Sequence, residues 1–122
     1  PLDLSVHCTT VQLAPGEGCI YKGFTTPAQW ESVSPINYVT PGDPPAFLIH
    51  GEKDDNVPIQ VSINFDAAMK AVGNESTLFS GPFLHNGTLW FTDPATISSN
   101  QQQLVQDAQT AMNNFLAQLA FS

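Results

Sequence analysis

Pro45-Ala46-Phe47-Leu48-Ile49-His50-Gly51-Glu52-Lys53-Asp54-Asp55-Asn56-Val57-Pro58 decides how this chain folds. Ala46 to Ile49 is a short apolar run with neither helical nor alternating periodicity, closed by Pro45 on one side and Gly51 on the other. Such a run suits a strand buried on both faces of a parallel sheet, because helices cover both sides there. In open α/β sheets the chemistry collects just past the carboxyl ends of the strands. That position carries Glu52, Asp54 and Asp55.

Working outward, Pro58 is placed for the first turn of a helix, where a missing N–H costs nothing. Val61, Phe65, Ala68, Met69 and Val72 then recur at helical spacing, so one face is expected on the sheet. Gly73-Asn74 supplies a left-handed stop. Thr77-Leu78-Phe79 reads as a second short strand, and Gly81-Pro82 ends it and throws His85 onto a loop. Asn86 to Thr96 is irregular, with Leu89, Trp90 and Phe91 expected to fold inward. Ser98 or Ser99 caps a last helix, with Gln101 or Gln102 three residues on as in a capping box. Its apolar stripe is Leu104, Ala108, Ala111, Met112, Phe115, Leu116 and Leu119. Strand, helix, strand and helix in this order predict an α/β fold with a parallel layer.

Upstream, Thr40-Pro41-Gly42-Asp43-Pro44-Pro45 is a rigid loop that admits neither a helix nor a central strand. Thr26 and Pro27 form the start of a short helix, as N-cap and first helical residue. Leu2, Leu4 and Val6 alternate with polar neighbours and Val11 and Leu13 continue the pattern, which is a half-buried strand signal. Ala14 to Gly18 is a turn or loop. Tyr21, Phe24, Trp30 and Tyr38 have two readings, ordinary packing or the lining of an acyl or aromatic pocket.

Taken in order, these segments resemble the late part of α/β-hydrolases, in the esterase, lipase and prolyl-peptidase-like branches. There, a strand ends in a His-Gly-x-x-Asp-x-x-Val-Pro pattern, matched here by His50, Gly51, Asp54, Val57 and Pro58. Ser34-Pro35-Ile36-Asn37-Tyr38-Val39 is similar to the family's Ser-Pro-x-x-Tyr segment, and Gly81-Pro82-Phe83-Leu84-His85 brings a His in the expected place. The likeness runs from Ser34 to the C-terminus. It implies the C-terminal part of an α/β-hydrolase sheet, parallel strands with flanking helices. Residues 1–44 would be a strand, loop and cap-like segment, and residues 45–122 the half that carries acid and base.

The resemblance implies that Asp54 is the acid and His85 the base of a Ser-His-Asp triad. In such a triad the base takes the nucleophile's proton, and the acid fixes the base's tautomer and steadies the imidazolium. Strand, helix and strand fill the interval between the two residues, so both side chains can emerge at one edge of adjacent parallel strands. Asp55 is expected to cap or solvate the turn, and His50, at the strand end, to be structural. His7 is unassigned. No His-x-x-x-His or paired Cys spacing supports a metal, and no cofactor is implied.

One part of the family pattern is absent. No Gly-x-Ser-x-Gly elbow occurs in the 122 residues. Ser76 and Ser80 lack the strand-to-helix turn that exposes a nucleophile. The oxyanion-hole glycine motif is missing as well. In the family both precede the acid and the base. Three readings follow. An N-terminal hydrolase chain supplies the Ser, as partner in a processed enzyme acting on a small ester. Alternatively, the chain is a non-catalytic lectin-like or interaction module. Or the sequence is part of a longer hydrolase. A secreted prolyl-peptidase-like activity shares the same Asp and His motifs, and short loops in an acidic chain favour the esterase slightly.

Three Lys and Arg against 11 acidic residues give a net charge of -8, which repels phosphate backbones and anionic lipid. Nucleic-acid and membrane-surface binding are therefore not expected. No apolar run approaches the ~20 residues of a membrane span. The opening Pro1-Leu2-Asp3, without Met, suggests a processed or internal N-terminus. Asn74-Glu75-Ser76 and Asn86-Gly87-Thr88 are glycan acceptor sequons, which point to a secreted protein. Cys8 and Cys19 close a short loop if bridged, worth about 2–3 kcal/mol. Two buried thiols, or pairing with cysteines elsewhere, are the other readings of that pair.

Overall fold

The computed structural model describes residues 2, 3, 6, 26–85 and 102–121. The apolar run becomes strand β1 (Ala46–Gly51), and the second run becomes β2 (Ser76–Gly81). They pair in parallel, from Ala46 opposite Ser76 to Gly51 opposite Gly81, and form a two-stranded sheet among the described residues. Both loops after the strands therefore leave from the same edge. The order is helix α1 (Pro27–Val33), a 3₁₀ turn (Pro35–Tyr38), β1, helix α2 (Gln60–Ala71), β2 and helix α3 (Gln102–Phe121).

The alternation of side chains along β1 sends its residues to two different helices. Phe47 packs its ring against Phe115 of α3 with centroids 5.5 Å apart. His50, three positions on and so on the other face, reaches Ser62 of α2. The sheet is thus sandwiched between α2 and α3, the layering of an α/β fold. The core is Val61 and Met69 from α2, Val105, Ala108 and Phe115 from α3, and Phe83 from the loop after β2. Val105 joins this core although the expected stripe omitted it, while Leu116, placed in that stripe, is 54% exposed. The rest of the expected stripe faces inward, Ala108 and Phe115 buried and Leu104, Ala111, Met112 and Leu119 half-buried. Residues 46–49 of β1 are half-buried rather than enclosed on both faces, because among the described residues only β2 flanks the strand.

Local chemistry fixes the ends. Thr26 accepts from the Gln29 N–H, and the Gln29 side chain accepts from the Thr26 N–H, a capping box ahead of Pro27. Ser34 closes α1, donating its hydroxyl to the Trp30 carbonyl at 2.6 Å. Pro41 and Gly42, the latter at φ 88°, make the central pair of a turn closed by Asp43 N–H to Thr40 O. The Asp43 carboxylate returns to the Thr40 N–H and hydroxyl at 2.7 and 2.9 Å. Gly73 takes φ 84° and ends α2, with Asn74 N–H on Met69 O.

The strand expected near the amino terminus is not formed at Val6, which is helical. The Val6 N–H points to the Asp3 carboxylate three residues before it, the contact by which an Asp starts a helix. Asp3, which the alternation placed outward, is buried. Leu4, Val11 and Leu13 of that pattern, the Ala14–Gly18 loop, Tyr21, Phe24, the 86–96 segment and the Ser98, Ser99 and Gln101 cap lie outside the described residues. No helix among the described residues is long and apolar enough to cross a membrane.

Candidate active site

The carboxyl ends of the two strands are laced together beyond the sheet. Glu52 N–H donates to Gly81 O at 2.8 Å and Lys53 N–H to Phe83 O at 3.2 Å. This lacing requires glycine at 51. A Cβ there would lie 2.1 Å from Phe83 O and 2.9 Å from Leu84 O, so only a bare Cα lets the second loop cross so closely. The crossing carries His85 over Asp54.

Asp54 is held on all sides. Its Oδ1 accepts from the Asn56 N–H at 2.9 Å and the Val57 N–H at 2.8 Å, a turn in which the side chain caps its own loop. Its Oδ2 lies 2.9 Å from His85 Nδ1. The Asp54 side chain is 5% exposed and that of His85 is 43% exposed. Burial pushes the Asp54 carboxyl up, but the Val57 N–H, His85 and the Asn56 N–H outweigh it and hold the group below its ordinary range. Asp54 is thus an anion at neutral pH. Nδ1 is the ring nitrogen that His85 commits to Asp54.

A cleft at this edge is lined by Ile49, His50, Gly51, Asp54, Val57 and His85. Asp54 and His85 are therefore brought together, as the topology predicted, and Asp55 is exposed beside them. The aromatic residues considered for a pocket do not line this cleft among the described residues. Tyr38 is 62% exposed and its hydroxyl donates to the Ser32 carbonyl. His50, read from sequence as structural, also reaches Asp54. Its Nε2 lies 3.1 Å from Oδ2 of the same carboxylate. The four-residue spacing across a tight loop was the signal, and it is the spacing that lets a chain double back on itself.

The serine hydroxyls of α2 and β2 are engaged elsewhere. Ser62 Oγ lies 2.6 Å from His50 Nδ1 and is buried, Ser80 donates to Glu52 at 3.4 Å, and Ser76, at the opposite edge of the sheet, donates to Asp66 at 2.6 Å. Among the described residues no three His, Cys, Asp or Glu are grouped to hold a metal ion.

Asn74 has a different task from the glycan attachment its sequon suggested. Its Oδ1 accepts from the Gly42 N–H and its Nδ2 donates to the Thr40 carbonyl, both at 2.8 Å, and the residue is buried. The nitrogen a glycan would occupy is enclosed and bonded, so the structure speaks against attachment there. Asn86, Cys8 and Cys19 lie outside the described residues.

Known proteins resemble this chain in the same sense. The BD-FAE family model matches residues 14–69. Esterase LipQ of Mycobacterium tuberculosis is 45% identical over 47 residues, which cover 38% of this chain and 11% of that protein. Among solved structures, propionate-bound esterase Est2 of Thermogutta terrifontis is 26% identical with a TM-score of 0.59, over 76% of this chain and 32% of that one. The same esterase phosphoramylated by tabun is 28% identical with a TM-score of 0.60, over 75% of this chain and 33% of that one. The chain thus spans about a tenth of the curated relative and about a third of the solved esterase.

Proposed function

The chain belongs to the α/β-hydrolases, with esterases as its relatives, and from that premise we propose that Asp54 and His85 are the acid and base of a serine-type carboxylesterase. The observation that carries this reading is the 2.9 Å contact between His85 Nδ1 and Asp54 Oδ2, at the carboxyl edge of two parallel strands. Asp54 holds the imidazole with its proton on Nδ1. Nε2 then takes the proton of a serine hydroxyl as that oxygen attacks the ester carbonyl, and later returns it to the departing alkoxide. Asp54, already anionic, stabilises the imidazolium formed in between. Water, deprotonated by the same Nε2, releases the acid.

The serine and the oxyanion hole come from polypeptide other than these 122 residues, since no Gly-x-Ser-x-Gly occurs in them. An N-terminal hydrolase chain that covers the half-buried β1 is the partner in this reading. The Thermogutta esterase, solved with propionate and with butyrate, supports an ester of a short acyl group as the substrate class.

Fluorophosphonate labelling of the purified material, read by intact mass, tests this. A label on a second, co-purifying polypeptide, abolished by His85→Ala in this chain, is the expected result. A single unlabelled species near the 13.2 kDa chain mass would overturn it.

A further inference from the structure

The cleft beside Asp54 and His85 has a volume of about 210 Å³, and most of the residues that line it have no apolar group to offer a substrate. Gly51 carries no side chain. Asp54 and His85 are spent on each other, and the ring of His50 is bonded to Ser62 and to the Val57 carbonyl, at 2.6 and 2.8 Å. Ile49 and Val57 are the two apolar side chains that remain in the lining. Ile49 is fixed within β1. Val57 belongs to the turn of the acid itself, and its N–H is bonded to Asp54 Oδ1 at 2.8 Å.

Several independent constraints hold Val57 still. Its N–H donates to Asp54 and its carbonyl accepts from His50 Nε2, so both polar backbone atoms are engaged by the protein. Pro58 follows, and a residue before proline favours extended backbone. The branch at Cβ leaves the side chain few χ1 positions. Val57 is half-buried, so its isopropyl group is what a ligand in the cleft meets. A wall with so little freedom discriminates by size, because a group one methylene too large does not push it aside. The cleft is also smaller than the roughly 300 Å³ at which pockets for drug-sized ligands begin, so a single methylene counts in it.

The reaction decides which part of the ester lies there. The base returns its proton to the departing alkoxide, so the alkoxy oxygen sits against His85 in that step. The carbon chain on that oxygen is the one that reaches Val57. We propose that Val57 is a specificity-determining residue, whose isopropyl group limits the size of the alcohol that the assembled esterase accepts. The proposal rests on the reading of Asp54 and His85 as acid and base.

The test is a ratio taken within each protein. Values of kcat/KM are measured for the butyl and methyl esters of one short acid, with the assembled enzyme as wild type, Val57→Ala and Val57→Ile. Both substitutions keep the backbone bonds to Asp54 and His50. Val57→Ala opens the wall and should raise the butyl-to-methyl ratio by about tenfold, the scale of a methylene in an apolar pocket. Val57→Ile adds a carbon and should lower the ratio by a similar factor. The folded fraction cancels from each ratio, and damage to the Asp54 turn would not move the two variants in opposite directions. If Val57→Ala does not fold, the fall in Val57→Ile decides alone. A ratio unmoved in the active variants overturns the proposal and leaves the esterase reading in place. So does a response found only when the acid is lengthened and the alcohol is kept. A wild-type assembly that hydrolyses neither ester removes the esterase reading, and the role of Val57 with it.

Discussion

The carbonyl oxygen of Phe83 lies where a Cβ on Gly51 would be, 2.1 Å from its ideal position. Two loops that leave parallel strands are pressed together there, and His85 follows Phe83 by two residues. Gly51→Ala must therefore move the second loop by about 1 Å to reach an ordinary contact. Overpacking of this kind costs about 1–3 kcal/mol. A shift of that size at the base would lower ester hydrolysis by the assembled enzyme by about 100-fold. Urea denaturation and initial rates check the two effects. Wild-type activity in Gly51→Ala would show that the crossing does not place the base.

Asp54→Asn separates charge from shape. The amide oxygen can keep the Asn56 and Val57 N–H groups, which leaves the amide nitrogen facing His85 Nδ1 and His50 Nε2. Donor then meets donor, and His85 is driven to the Nε2–H tautomer, which cannot accept the serine proton. A loss of about 10⁴-fold in kcat is expected, the scale on which a wrong tautomer disables a triad. Steady-state kinetics measures it, and a loss below tenfold would remove Asp54 from the acid role.

Which parts of this were legible in the sequence follows from the range of the interactions. β1, β2, the α1 cap at Thr26 and Pro27, and the Gly73 stop are local, written in neighbours a few positions apart. The pairing of Asp54 with His85 was legible only through topology and resemblance, since parallel strands joined by a helix bring two loops to one edge. His50 was read as a strand end because its partners, Ser62 and the Val57 carbonyl, are chosen by the loop geometry and not by a residue pattern. The stripe of α3 was legible apart from its margins, where buried Val105 was left out and exposed Leu116 was included, because the apolar pattern alone does not say how far the sheet reaches around the helix. Asn74 satisfied a sequon and was buried by a loop 32 positions away.

Acid should destabilise the fold in a defined window. The Asp54 carboxyl is pushed up by burial but pulled below its ordinary range by Val57, His85 and Asn56. Asp66 is likewise pushed up by burial and pulled lower by Lys70 and the Ser76 hydroxyl. Each has a folded pKa below its unfolded value, so the unfolded chain binds protons first on acidification and stability falls. Their contribution is complete above the unfolded value of about 4 and is lost as pH drops through the folded one. Urea midpoints measured from pH 5 down to 2 should fall. Asp66→Asn should flatten that slope without touching the His85 contact. A slope unchanged in Asp66→Asn would refute its share.

Asn74 joins the Thr40–Asp43 turn to the end of α2. Both ends of its amide are used, toward the Gly42 N–H and the Thr40 carbonyl, inside a buried site where Nδ2 also lies 3.7 Å from the Met69 sulfur. Asn74→Ala leaves a buried backbone donor and acceptor without this partner, at a cost of about 1–3 kcal/mol each way in which water cannot replace it. Asn74→Asp keeps the acceptor for Gly42 but sets a carboxylate oxygen against the Thr40 carbonyl, so it should be no better tolerated. Production in a glycosylating host tests the same geometry from outside. Peptide mass mapping should find Asn74 bare, because a glycan on Nδ2 would have to break the bond to Thr40 and enter the space beside Met69. The Ser76 hydroxyl that completes the sequon is itself turned to Asp66 at 2.6 Å. Full occupancy at Asn74 in a folded, cooperatively melting protein would show that this turn is held some other way.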